Sequence, residues 1–186
     1  MKLKRTIWIA FGLLLVASSF YRVWDNRPWG FTPQIAMAIF AGSIIKDRKW
    51  AFILPLFSML LSDAIYEVLY INNLSDIRGF YHGQWVNYLL IGSLVFIGFL
   101  IRKPNWLNVL AASIAAPCIY FLLSNFTVWA SHGGFQRPMT FNGLILCYND
   151  GLPFLKGYLM GTVFFSAILF GGYYLVQRFV MARKMA

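Results

Sequence analysis

Charge is scarce in this chain. Of its 186 residues only 12% are Asp, Glu, Lys or Arg, and just six of those are acidic, whereas soluble domains carry about 25% charged residues. That is too little to solvate a globular surface in water. Cysteine is equally sparse, with Cys118 inside an apolar run and Cys147 among polar residues, so neither a disulfide framework nor a metal-ligand spacing is present. The two histidines, His82 and His132, fall outside any H-E-x-x-H pattern, and there is no phosphate-binding P-loop and no nucleophile elbow. An enzyme with its own catalytic centre is therefore not expected, nor a cofactor or a metal site. Internal repeats and a soluble domain are also lacking.

What the chain has is apolar bulk. Hydrophobic residues make up 60% and mean hydropathy is +0.64. A bilayer core about 30 Å thick needs about 20 apolar residues per helical crossing, and the runs divide into six. The expected fold is an all-α membrane protein, one domain over residues 1–186, with helices over 3–24, 32–45, 50–71, 84–101, 105–129 and 153–180. Thr32 is a candidate N-cap with Pro33 at the first helical position, and Pro153 opens the last helix in the same way. Pro55 and Pro117 fall inside helices, where neighbouring helices satisfy the freed carbonyls. The first run competes with a cleavable signal peptide; Phe20-Tyr21 continue it, which favours a retained helix.

The net charge of +10 raises nucleic acid as a partner, but the basic residues cluster at the ends of apolar runs. Threading six helices puts both termini and the turns at 46–49 and 102–104 on one side. Eleven of the 16 Lys and Arg residues lie there, so the positive-inside rule makes that side cytoplasmic. The expected location is the bacterial inner membrane.

Depth follows from the rise of 1.5 Å per residue, which puts Asp63 and Glu67 about 20 and 26 Å from the cytoplasmic start of the third helix. Both belong to the outer half, on one helix face. Intramembrane carboxylates face protein, water or a counter-charge, so Asp63 is either a pocket wall or a structural acceptor; Glu67 reads as reaching headgroup water. Asn87, Asn125, Trp129, Arg137, Tyr148, Asn149 and Asp150 converge at the same outer end, mixing aromatic surface with hydrogen-bonding groups as small-molecule sites do. Each aromatic taken alone is better explained as an interfacial anchor. Small residues recur at helix-packing spacing: Ala38 with Gly42, Ala111 with Ala115, Ala112 with Ala116, and Gly157 with Gly161. Such pairs let helices approach closely, within the chain or against a partner.

The segments Arg27-Pro-Trp-Gly-Phe-Thr-Pro-Gln-Ile-Ala36, Lys49-Trp-Ala-Phe-Ile-Leu-Pro55, Ser62-Asp63, Gly83-Gln-Trp85 with Asn87-Tyr88, Leu123-Ser-Asn125 with Trp129, and Cys147-Tyr-Asn-Asp-Gly-Leu-Pro153 resemble an uncharacterised bacterial family of transport proteins, DUF6580. That family is itself similar to the substrate-binding S components of energy-coupling factor (ECF) vitamin transporters. The resemblance implies an uptake subunit that binds a vitamin-like solute in an outward-facing pocket. It also implies docking, through small residues on the first helices, to a transmembrane coupling protein with cytoplasmic ATPases. Ala10 and Gly12 on helix 1, with Ala38, Ala41 and Gly42 on helix 2, would supply that surface, although a strict Ala-x-x-x-Ala is missing from helix 1.

The residues read without that resemblance agree in outline, because a polar outer half above an apolar inner half makes a cup; a through-channel needs polar lining at every depth. With no P-loop in the chain, ATP hydrolysis would belong to a partner. The competing expectation is a structural or assembly subunit that binds another membrane protein through its small-residue faces. A membrane enzyme built on Asp63, Glu67 and a loop histidine ranks third.

Overall fold

The computed structural model describes the backbone of residues 2–185 and the side chains of residues 12–178. Six helices follow one another: α1 (Lys2–Val23), α2 (Gln34–Ile44), α3 (Arg48–Ile71), α4 (Gln84–Leu100), α5 (Trp106–Ala130) and α6 (Phe141–Met185). Short polar side chains start several of them. Asp47 accepts a hydrogen bond from the Lys49 amide at 3.0 Å, and Asn105 from the Asn108 amide at 2.9 Å, each satisfying one of the orphan donors of a first turn. Pro55 and Pro117 lie inside α3 and α5 as expected. Thr32 does not cap α2, whose N-cap is Pro33 without a side-chain bond.

α6 departs furthest from the sequence reading. It begins at Phe141, not near Pro153, and so absorbs most of the expected outer loop and places Pro153 in a helix interior. The cause is local. Thr140 Oγ1 accepts the Gly143 amide at 3.1 Å and the Thr140 carbonyl accepts the Leu144 amide at 3.0 Å, nucleating the helix a full three turns early. Gly143 is required there, since a Cβ would meet the Pro138 carbonyl oxygen at 1.9 Å.

Three helical segments are long and apolar enough to cross a membrane: Arg48–Ile71, Trp106–Ala130 and Phe141–Arg178. The outward surface is apolar to match, with Phe20, Leu89, Phe96, Leu122, Phe164 and Leu175 all exposed. A soluble protein does not leave such a surface bare. α2 is too short for a crossing of its own: 11 residues rise about 16 Å. Instead it fills the centre of the bundle, where Ala36, Met37, Ala38, Ile39 and Ala41 have no exposed surface and α3, α4 and α6 surround it.

Glycines let the segment before α2 descend beside it. At Gly157 a Cβ would meet the Trp29 carbonyl oxygen at 1.8 Å, and at Gly161 the Thr32 nitrogen at 3.0 Å, so residues 29–32 lie directly on α6. Irregular backbone is tolerable at that depth because it is covered by protein. The Gly157 and Gly161 pair is thus used inside the chain. So is Gly42, whose Cα lies 2.8 Å from the position a Cβ would take on Gly98 of α4.

Candidate functional site

Five segments bring polar side chains to one end of the bundle: the end of α1 with residues 25–33, the end of α3, the start of α4, the end of α5 and the start of α6. Enclosed within this layer is Asp63, only 2% exposed. Its Oδ1 is paired with the Arg22 guanidinium, and its Oδ2 accepts from Gln84 Nε2 and from the Tyr88 hydroxyl, both at 2.5 Å. Arg22 also donates to Ser62 Oγ at 2.5 Å, while Gln84 Nε2 reaches the Gly79 carbonyl at 2.8 Å. A buried carboxylate is costly unless its oxygens are partnered as fully as this. Asp63 is consequently occupied within the protein, where it fastens α1, α3 and α4 together.

Beside this cluster opens a cleft with two compartments. The first, of about 210 Å³, is lined by Arg22, Arg27, Gln34, Asn87, Tyr120 and Tyr158, with Ile35, Met59 and Ile91 as apolar wall. The second, of about 320 Å³, is lined by Ser124, Asn125, Cys147, Asp150, Gly151 and Phe135, and shares Asn87, Tyr120, Phe154 and Tyr158 with the first. The shared residues make the partition. Tyr120 and Tyr158 meet edge to face with ring centroids 5.1 Å apart, and the Tyr120 hydroxyl donates to Asn87 Oδ1 at 3.4 Å. Trp29 stacks on Phe154 at 5.5 Å, closing the side where residues 29–32 run against α6.

Gln34 stands out among the lining groups. It is 3% exposed, and its Oε1 is buried with no hydrogen-bond partner, although its Nε2 reaches Ser58 Oγ at 3.5 Å. Leaving such an oxygen unsatisfied costs about 1–3 kcal/mol. Arg27 is held by its Nε, which donates to the Arg22 carbonyl at 2.7 Å; the Tyr66 hydroxyl donates to the same oxygen at 2.8 Å. This carbonyl belongs to the last turn of α1, whose dipole favours a cation. Arg27 forms no ion pair with an acidic side chain among the described residues.

The sequence-derived candidates divide among several places. Asn87, Asn125 and Asp150 line the cleft. Arg137 stands behind Asp150, which it clasps through Nε and Nη2 at 2.8 and 3.0 Å, and that bond raises its already high pKa further. Trp129 and Tyr148 are turned to structural work: the indole donates to the Pro138 carbonyl at 2.9 Å and the phenol to the Leu122 carbonyl at 3.2 Å. Asn149 is exposed. Glu67 accepts the Phe80 amide at 3.0 Å and lies 3.8 Å from Arg78, so it anchors the 72–83 loop.

Cys147 is on α6 and buried, its thiol 3.5 Å from the Asn125 carbonyl; both cysteines are free. Arg22, Arg27, Gln34, Tyr120 and Tyr158 were not among the candidates. Gln34 was legible as the polar start of a helix, whereas the two tyrosines sit in apolar runs where nothing marks their hydroxyls.

The expected partner-docking positions are mostly enclosed. Ala38 and Ala41 are fully buried and Gly42 is pressed against α4, so this face of α2 serves contacts within the chain. Gly12 has open space around it, and the side chain of Ala10 lies outside the described residues. Ala111 and Ala115 on α5 face outward, while Ala112 and Ala116 face in.

No curated protein and no solved structure matches the chain, so none supports the likeness to S components. A family model described as a family of unknown function, DUF6580, matches residues 1–183, and the chain belongs to that family.

Proposed function

We propose that this protein is a polytopic protein of the bacterial inner membrane that binds a small organic solute for uptake, with both termini cytoplasmic and the cleft opening outward. Six passages are made by α1, α3, α4, α5, α6 and the combination of residues 29–33 with α2. The observation that carries the reading is the buried, unpartnered Gln34 Oε1 in a cleft whose other polar lining includes Arg22, Arg27, Asn87, Tyr120 and Tyr158. A ligand donor placed there removes an unsatisfied acceptor that folding alone leaves in place.

Chemistry below the cleft supports a cup. The core around α2 and the inner halves of α3, α4 and α5 is mostly Ala, Ile, Leu, Met, Val and Phe side chains, with Ser113 of α5 and Thr162 and Ser166 of α6 as isolated buried hydroxyls, which would give a solute no continuous polar path onward. Release on the cytoplasmic side would require rearrangement, and with no P-loop in the chain a partner supplies any ATP-driven step. A coupling module of the ECF kind fits that need, though the enclosed α2 face leaves only α1 to meet it.

Mass spectrometry of small molecules released from gently purified protein tests the reading. Wild type should release a defined compound, and Asn125→Ala and Tyr158→Ala should release at least about tenfold less at equal folded yield. Equal release from all three, or none from wild type, would remove the cleft as a binding site. Copurification of a membrane partner without any small molecule would favour the assembly-subunit reading.

A further inference from the structure

The charge inventory of the cleft narrows what it takes. All six acidic residues of the chain lie in its described part; of these Asp150 is the one in the cleft lining, and both it and Asp63 are committed. Asp63 is held by Arg22, Gln84 and Tyr88, and Asp150 by both arms of Arg137. The first compartment contains no carboxylate in its lining but two guanidinium groups. Of these, Arg22 spends only Nη1 on Asp63, Ser62 and the Met59 carbonyl, and Arg27 spends only Nε on the Arg22 carbonyl. Among the described residues Arg22 Nε and Nη2 and both terminal nitrogens of Arg27 have no acceptor.

From this we infer that the cleft binds an organic acid, with its carboxylate beside Arg27 and the free edge of Arg22. The inference rests on the solute-binding reading above and names the solute class. A planar guanidinium offers paired donors that match a carboxylate, and a bound anion neutralises the one cation in the cleft that lacks an acidic partner. Gln34 Oε1, an acceptor only, takes a hydroxyl or N–H of the same molecule. The second compartment is neutral once Asp150 is paired, and with Phe135, Phe154, Val128 and the tyrosine rings it suits an uncharged or aromatic remainder. The compartment of about 210 Å³ beside the arginines is small for a whole drug-sized ligand, which needs roughly 300 Å³ or more. An acid group there with a body extending past Tyr120 and Tyr158 satisfies both volumes.

The test compares benzoate with its neutral isostere benzamide on the purified full chain, reading ligand-induced thermal stabilisation. Inorganic phosphate and short-chain phosphatidylglycerol serve as other oxyanion sources. Benzoate should stabilise wild type at concentrations about tenfold below benzamide; Arg27→Gln should erase that preference, Arg27→Lys restore part of it, and Arg102→Gln at the opposite end change nothing.

Equal action of benzoate and benzamide, or an undiminished preference in Arg27→Gln, overturns the inference. Stabilisation by phosphate or phosphatidylglycerol without benzoate does so too, by assigning the arginines to inorganic anion or lipid headgroup. The two levels separate cleanly. Benzamide binding that is lost in Tyr158→Ala keeps the cleft and discards the acid, whereas no stabilisation by any probe, together with no released compound, discards both.

Discussion

Arg22 at the last turn of α1 and Asp63 in the C-terminal half of α3, 41 residues apart in sequence, form an ion pair in which the carboxylate is almost fully enclosed and the guanidinium reaches the cleft. The pair does two jobs. It ties three helices at one end of the bundle, and it fixes a donor-rich edge toward the cleft.

Replacing one partner exposes that double duty. Asp63→Ala strips Arg22, Gln84 and Tyr88 of their common acceptor, and breaking such a pair costs about 3–5 kcal/mol when buried. Arg22 keeps 22% of its side-chain surface accessible, so the lower part of that range is expected, seen as a lowered Tm in detergent. The double variant Arg22→Met with Asp63→Leu should recover much of the stability. It should not recover solute retention.

Gln34 offers the opposite pattern. Gln34→Leu removes an acceptor that has no partner, so stability should change by no more than about 1 kcal/mol, and in the favourable direction. Solute retention should fall at the same time. A Tm rise with unaltered retention would show that the orphan oxygen has no role in binding.

The glycines separate into those that permit contact and those that do not. Gly42→Ala, Gly98→Ala and Gly157→Ala each drive a Cβ into backbone at under 2.5 Å, and overpacking costs about 1–3 kcal/mol or more when backbone must shift. Reduced folded yield is expected for all three. Gly171→Ala and Gly172→Ala meet open space and should be neutral or slightly stabilising, as alanine is the better helix former.

Sidedness can be read with single cysteines in a Cys118→Ala, Cys147→Ala background. Asp76→Cys in the 72–83 loop should react with a membrane-impermeant maleimide in intact cells. Lys103→Cys in the α4–α5 turn should react only after permeabilisation. The reverse result would turn the cleft toward the cytoplasm.

Five of the six helices were legible within a few residues, because unbroken apolar runs bounded by charge or turn formers admit little else. α6 was misread at its start for a physical reason: Asn149-Asp-Gly-Leu-Pro153 has the composition of a turn leading into a proline-started helix, and the weaker signal of Thr140 three residues before Gly143 decided the outcome. Polar residues inside the runs, Asp63 above all, marked the end of the bundle where polar side chains gather. Their partners were hidden. Arg22 and Arg27 resembled ordinary boundary charges, and Tyr120 and Tyr158 ordinary apolar bulk, since only tertiary packing brings α1, α5 and α6 around one space. The recurrent small residues announced close packing, but nothing in their spacing said that Gly157 and Gly161 receive a loop and not a helix.

The 45 residues of α6 give a rod of about 67 Å, over twice the thickness of a hydrocarbon core of about 30 Å. In a bilayer such a rod would extend past the hydrocarbon, and its first three turns carry Cys147, Asp150 and Gly151, which line the second compartment. Pro153 has no amide hydrogen to lend to the ladder, so bending concentrates just below those turns. Those same turns are fastened to α5 through Tyr148 and Cys147, which donate to the Leu122 and Asn125 carbonyls, so a bend at Pro153 would leave the wall of the second compartment with α5 while the rest of α6 took another angle.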